Sequence, residues 1–386
     1  MKKPPPREEA LLRLKIARRR EEARKGKYKR SKKRREITYK SQDNDIGDSP
    51  SPTKKENEIL LPESFDLEKN YNGVVEKIDY LRDFLKTARG KNFHVNFNNI
   101  SNINASGALM LLAELHIYTI ENNTKLRARD NEWNNTVRNL LIDEMGFLKF
   151  LKVSPQSQHH SQQQGTKDEI FVNFVSGTRL DGQDVLKIIK EVERVSATEK
   201  IPQKLHLPFY AGVSEAITNT HHHAYTSRVK KKPSERWWVS ASFNVATGEV
   251  KVVCYDRGLT IPGTLRDSSE TKLRKLGIKL LSLIKSDGSD HELMKISIQE
   301  RKTSTKLPGR GRGLSELRNL IDQSKQGTLK IYSGKGIVEY RKHSKDTEES
   351  VVSKSLPRRM NGTLVEWSII PYGSDEVNNE KLVEDS

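Results

Sequence analysis

The sequence predicts an α/β protein, with a basic arm followed by two α/β domains in series. Three observations carry that reading. Positive charge is concentrated at the N-terminus. From about residue 70 onward, apolar stripes at helical spacing alternate with short strand-like runs. Four short blocks bearing glycines, an acid or an amide then punctuate the C-terminal half in a fixed order.

The 386 residues carry 69 Lys/Arg against 51 Asp/Glu, a net charge of +18. Residues 1–40 hold 18 Lys/Arg against 5 Glu, a net of +13, which leaves +5 for the remaining 346 residues. The basicity therefore belongs to an arm. With 34% apolar and 31% charged residues, part of the chain is expected to be solvated tail. Cys254 is the single cysteine, which excludes an intrachain disulfide framework and fits a reducing cytoplasm. No apolar run approaches the ~18 residues of a membrane span, and the basic N-terminus lacks the apolar stretch of a secretory signal. A cytoplasmic protein with no membrane association is expected.

Residues 1–58 run from a Lys/Arg-rich stretch into an Asp/Asn/Ser/Pro segment. Leu11, Leu14 and Ala17 sit at helical spacing, but no wider apolar face exists to dock such a helix. A largely disordered arm is expected. Residues 70–153 read as globular. Val75, Ile78, Tyr80, Leu81 and Leu85 form a stripe predicting a helix over Val74–Thr87, and Phe93–Phe97 alternates like a half-buried strand. Ala108–Thr119 is apolar and helix-prone after Ser106-Gly107, and Leu140–Leu151 predicts a closing amphipathic helix. Residues 154–169, rich in Gln, Ser and His, read as a linker. In 170–372, Ile170–Val175 predicts a strand, Asp181–Arg194 a helix and Val213–Tyr225 another helix. Glu249–Tyr255 predicts a buried strand, Leu314–Ile321 a helix and Leu364–Ile370 a last strand, before an acidic tail at 373–386.

The four blocks have plain chemistry. Glu215 and Asn219 lie four apart and share a helix face, where an amide oxygen can ligate Mg²⁺ and a carboxylate can accept a proton. An exposed Glu/Asn pair is the bland alternative. Asp256 ends a strand, followed by Gly258 and Ile261-Pro262; it can accept a hydrogen bond from an exocyclic amine while a base lies on Gly258, although a tight turn explains it equally well alone. Gly309, Gly311 and Gly313 form a glycine-rich loop opening a helix, whose N–H groups can cradle phosphates beside Arg310 and Arg312. No strand directly precedes that loop, which argues against a dinucleotide fingerprint. Gly362-Thr363 places a hydroxyl at the start of the last strand. His221-His222-His223 offers no metal site, because consecutive histidines on a helix point apart.

Together the blocks resemble the GHKL (Bergerat-fold) ATPase family, which includes histidine kinases, gyrase-type ATPases, MutL and the anti-sigma-factor kinases, over about Lys204–Pro371. The resemblance implies an α/β sandwich with helices on one face of a mixed sheet, and ATP with Mg²⁺ as cofactors. It implies Glu215 as catalytic carboxylate, Asn219 as Mg²⁺ ligand, Asp256 as the adenine reader with Gly258 beside it, and Gly309, Gly311 and Gly313 as phosphate loop. Thr363 would line the adenine site. One departure is Thr260, where the family has a second glycine. The stretch between Thr264 and Pro308 is where the family carries its mobile ATP lid.

The run Val95–Leu109 reads as strand, loop and Ser-Gly helix start, and resembles the STAS domain of anti-sigma-factor antagonists over about 70–153. Asn104 stands at the acidic position and Ala105 where the phosphorylated serine would be, leaving Ser106 as a helix cap. The resemblance implies a docking module without the phospho-switch. An unrelated α/β unit is the alternative. The combined expectation is a nucleotide-dependent switch with slow ATPase or Ser/Thr kinase activity toward a protein partner. A histidine kinase is disfavoured, because His116 is followed by an apolar residue within the STAS-like unit. The alternative from another class is a non-catalytic adaptor holding nucleic acid non-specifically through residues 1–40. A homodimer is compatible with the family, but no coiled coil demands one.

Overall fold

Strands that alternate strictly between two buried faces organise the C-terminal half. The computed structural model describes residues 58–88, 93–156, 169–179, 181–195, 203–220, 224–225, 232–267, 288–300, 313–342 and 350–370. The expected arm, the linker, His221–His223 and the acidic tail fall outside these residues, apart from the margins of the arm and linker.

The chain enters through β1 (Glu58–Leu60) and β2 (Ser64–Phe65), then α1 (Tyr71–Thr87), β3 (His94–Asn96), β4 (Asn102–Ile103) and α2 (Ala105–Asn122). β1 pairs with β3 and β2 with β4, both parallel. The α1 stripe is Val74, Val75, Ile78, Leu81 and Leu85, all buried, whereas Tyr80 of the expected stripe is 46% exposed. Ser106 does not cap α2. The cap is Asn104, whose side-chain oxygen accepts the Gly107 N–H at 2.8 Å. The expected helix over 140–151 is interrupted: α3 (Asn135–Arg138) runs on into a wide π-type turn at Asn139–Glu144, and α4 (Phe147–Phe150) starts separately, because Gly146 takes a left-handed conformation at φ 66°.

Then come β5 (Glu169–Gly177), α5 (Gly182–Val195), α6 (Gln203–Asn219), β6 (Trp237–Asn244), β7 (Val250–Asp256), α7 (Ile261–Asp267), α8 (Asp290–Glu300), α9 (Gly313–Gln323), β8 (Gln326–Lys342) and β9 (Ser350–Ile370). α6 starts ten residues before the expected Val213, because Leu205, Phe209, Val213 and Ile217 recur every four residues and are all buried. The protein is α/β, with a five-stranded sheet in the order β5-β6-β7-β9-β8. Every pair in that sheet is antiparallel, which corrects the expected mixed sheet.

Along β7, Val252 and Cys254 face one core while Val253 and Tyr255 face another; Trp237 and Trp238 on β6, and Val365 and Leu364 on β9, divide in the same way. The first face carries α5, α6 and α9. The second carries residues 59–153, with Trp238, Tyr255 and Leu364 packed into the same core as α1 and α2. Asn57–Ser386 is one compact unit. Each fully buried apolar side chain contributes about 2 kcal/mol, which explains why the sheet is apolar on both sides. Among the described residues, no helix is long and apolar enough to cross a membrane.

Candidate functional site

On the first face, α6 and α7 flank the end of β7 and leave a cavity of about 790 Å³, including its open mouth. Trp237, Cys254, Ile217, Leu265, Leu317 and Val365 make most of its wall apolar, and Asn219, Thr220, Asp256, Thr264 and Thr363 are among its polar residues. Three of the sequence-predicted residues thus meet in one place, and they come from α6, β7 and β9.

Asp256 is the chemical centre. It ends β7 opposite Thr363 of β9 and is 7% exposed. Its Oδ1 accepts the Gly258 N–H at 2.8 Å, and the Thr220 hydroxyl lies 3.4 Å from Oδ2 while also donating to the Ala216 carbonyl at 3.1 Å. The Thr363 N–H is a further donor. A carboxylate offers about four acceptor positions, so these donors do not exhaust its capacity toward a ligand in the cavity. Burial pushes the Asp256 carboxyl up to about 7, against the lowering effect of the three donors.

Glycine is required twice around this carboxylate. A Cβ on Gly258 would strike the carbonyl oxygen and Cβ of Ala224, so Gly258 closes the turn by close packing. It is absent from the cavity lining. Gly362 has φ 102°, and a Cβ there would strike the Asp256 carbonyl oxygen. The pair Gly362-Thr363 is therefore a backbone requirement of the strand crossing. The Thr363 hydroxyl pairs with that of Ser333 at 2.9 Å, and Ser333 Oγ accepts the Ile261 N–H at 2.9 Å, which ties α7 to the sheet end.

Thr260, the departure from the glycine pattern, caps α7: its hydroxyl oxygen accepts the Gly263 N–H at 3.1 Å and an Arg359 N–H at 3.1 Å. A threonine at this position is thus a helix N-cap. The far end of α7 is fastened by Arg266, which pairs with Asp290 at the start of α8; Asp290 also accepts the Lys335 N–H at 2.7 Å. Burial alone would raise the Asp290 carboxyl, but the Lys335 N–H and Arg266 together hold it below its ordinary value.

Glu215 lies on α6 one turn before Asn219 and is half-buried, but it does not line the cavity. Gly313 is the first residue of α9, whose Leu317 reaches the cavity wall. Gly309 and Gly311 lie outside the described residues, as does most of the expected lid stretch. Asn219 is the described cavity residue suited to Mg²⁺. Among the described residues no group of three or more His, Cys, Asp or Glu side chains is gathered for a metal. Sequence reasoning missed Thr220, Leu259 at the mouth and Tyr225, whose hydroxyl accepts the Arg257 N–H at 3.2 Å and donates to the Arg236 carbonyl at 2.8 Å. The contiguity of Thr220 with Asn219 and the run His223-Ala224-Tyr225 were the sequence signals for the first and the last of them.

No protein-family model matches the chain, and no curated protein matches it. Among solved structures, it is similar to the crystal structure of the B-subunit of the DNA gyrase from Myxococcus xanthus, at 11% identity and a TM-score of 0.23. That similarity covers 49% of this chain and 43% of the gyrase chain, less than half of either. At that level it carries no functional weight, which rests instead on the side chains of the cavity.

Proposed function

We propose that the C-terminal region binds ATP with Mg²⁺ in the manner of GHKL ATPases. The observation that carries this reading is Asp256: a buried carboxylate at a strand end, with acceptor capacity left, in a cavity whose wall is otherwise mostly apolar. That arrangement suits a flat base bearing an exocyclic amine. Asn219 would hold the metal, Thr363 would flank the base, and the Gly309–Gly313 loop would meet the phosphates. The metal held there would supply positive charge against that developing on phosphoryl transfer. Glu215, one turn along α6, would accept a proton from water in an ATPase or from a serine hydroxyl in a kinase.

The direct test is Mg-ATP binding to the full chain by calorimetry. Asp256→Asn is expected to weaken binding about tenfold or more, because a charge-assisted hydrogen bond is lost. Unchanged affinity would remove Asp256 from the site. Following γ-labelled phosphate then separates release from transfer. Glu215→Gln is expected to keep ATP affinity while lowering turnover at least about a hundredfold; persistent turnover would assign the base elsewhere.

Residues 70–153 are read as a STAS-like docking module for a protein partner, on the strength of their strand–loop–helix order. Ser106 is 1% exposed, and its hydroxyl donates to Glu366 at 2.5 Å. A role as phosphoacceptor would require that contact to open. For residues 1–40 the net charge of +13 supports non-specific contact with nucleic acid. Deleting them should abolish any salt-sensitive binding of RNA or DNA while leaving ATP affinity unaltered.

A further inference from the structure

Tyr255, Asp256 and Arg257 alternate across the end of the sheet. Asp256 turns to the cavity, whereas Tyr255 and Arg257 turn to the face covered by α1 and α2. There, Arg257 Nε lies 3.0 Å from Oε1 of Glu114, a residue of α2 that is 1% exposed. This approach is an ion pair without hydrogen-bond alignment. The same oxygen accepts two aligned hydrogen bonds from Arg82 of α1, from Nη2 at 2.7 Å and Nε at 3.1 Å.

Arg82 also donates to the Tyr255 hydroxyl at 3.1 Å and pairs with Asp79 at 3.4 Å. Tyr255 donates to the Asn361 carbonyl at 3.3 Å, and the Asn361 amide returns to Asp79 at 2.9 Å. Arg82, Tyr255, Asn361 and Asp79 thus close a ring, and Glu114 and Arg257 are joined to it through Arg82, so that the network ties α1 and α2 to the end of β7 and to β9. A buried Glu114 persists only because both arginines neutralise it.

Arg257 stands between the acceptor and the donor of the turn that aims Asp256, since Asp256 Oδ1 takes the Gly258 N–H. Movement of the Arg257 backbone shifts both at once. Its N–H is fixed by Tyr225, and its side chain is fixed by Glu114 from the opposite face of the sheet. We propose that Glu114, acting through Arg257, is a positioning residue for base recognition, so that residues 58–153 set how well the cavity reads an exocyclic amine. The inference rests on the nucleotide reading of Asp256. Burial of a carboxylate explains its arginine partners; it does not explain why one of them is the residue between Asp256 and Gly258.

The test compares ATP with purine riboside triphosphate, which keeps the sugar and phosphates but lacks the 6-amino group. Affinities are measured on the full chain for wild type, Arg257→Gln, Glu114→Gln and Asp256→Asn. Arg257→Gln leaves the Arg82–Glu114 pair in place, and Glu114→Gln keeps the side-chain shape, so both are expected to fold; circular dichroism checks this. Wild type should prefer ATP by about tenfold or more, the value of a hydrogen bond to a buried charged acceptor. Arg257→Gln and Glu114→Gln should lose most of that preference, as Asp256→Asn does, because ATP weakens while the amine-free analogue does not. Arg257→Lys should recover part of it.

Equal weakening of both nucleotides would mean general loosening and would overturn the proposal. So would a wild-type preference retained in folded Arg257→Gln and Glu114→Gln. A wild type without any preference would remove the reading of Asp256 itself, and this inference would fall with it.

Discussion

Replacing Asp256 by asparagine should stabilise the protein at alkaline pH relative to the wild-type trend while impairing nucleotide binding. The carboxyl is 7% exposed and is pushed up to about 7 by burial, from 3.8 in the unfolded chain. Because this acid has a raised folded-state value, the native state binds a proton that the unfolded state has already lost between about pH 4 and 7. Its stabilising contribution is therefore greatest at low pH and disappears as pH rises through 7. Integrated from pH 5 to pH 8, the loss is about 2.5 kcal/mol, with each tenfold in protonation worth about 1.4 kcal/mol.

Asparagine carries no such proton, and its oxygen can still accept the Gly258 N–H. Between pH 5 and pH 8 the wild-type melting temperature should fall about 5 °C further than that of Asp256→Asn, given about 2 °C per kcal/mol for a chain of this size. The assay is thermal melting by circular dichroism at four pH values. Glu366, whose carboxyl is also raised by burial, contributes to both proteins and cancels in the comparison. Superimposable pH dependences would refute the reasoning, since Asp256 would then not be a buried, titrating acid. Adding saturating Mg-ATP should raise the melting temperature of the wild type more than that of the variant.

Since an amine donor needs the ionised form of Asp256, ATP affinity should fall about tenfold for each pH unit below 7, with proton release visible as a buffer-dependent binding enthalpy. Gly258→Ala should cost about 3 kcal/mol or more, because its Cβ would meet backbone of Ala224 that cannot rotate away; chemical denaturation measures this. Thr260→Ala removes the α7 cap at a cost of about 1 kcal/mol, and Thr260→Ser should restore it, read in the same denaturation experiment.

Much of the molecule is legible in local pattern. The buried strand at Val250–Asp256, the stripe of α1 and the helix over Gly182–Val195 follow from periodicity, because each element must bury one or two faces whatever its partners. Asn219, Asp256 and Thr363 were grouped as site residues by the family resemblance of the blocks that hold them, and all three line the cavity. Less legible was the reach of β9 back to Ser350, since its outer half is polar and exposed and carries no apolar pattern. The split of 135–150 at Gly146 escaped periodicity for a related reason: one backbone angle, rather than any side-chain spacing, ends the helix.

What the sequence alone determined was the segregated charge, the apolar alternation that makes β7 a doubly buried strand, and the residue types able to read a nucleotide. Those properties are local, held within a few residues of chain. Tertiary structure decided that the second sheet face is covered by residues 59–153, that Thr260 serves as a cap, and that Glu114 lies against Arg257. It also made Asp256 a buried acid rather than an ordinary turn residue. Burial and ion pairing depend on groups brought together from far along the chain, here 143 residues apart for Glu114 and Arg257, and no local pattern encodes which distant partner will arrive.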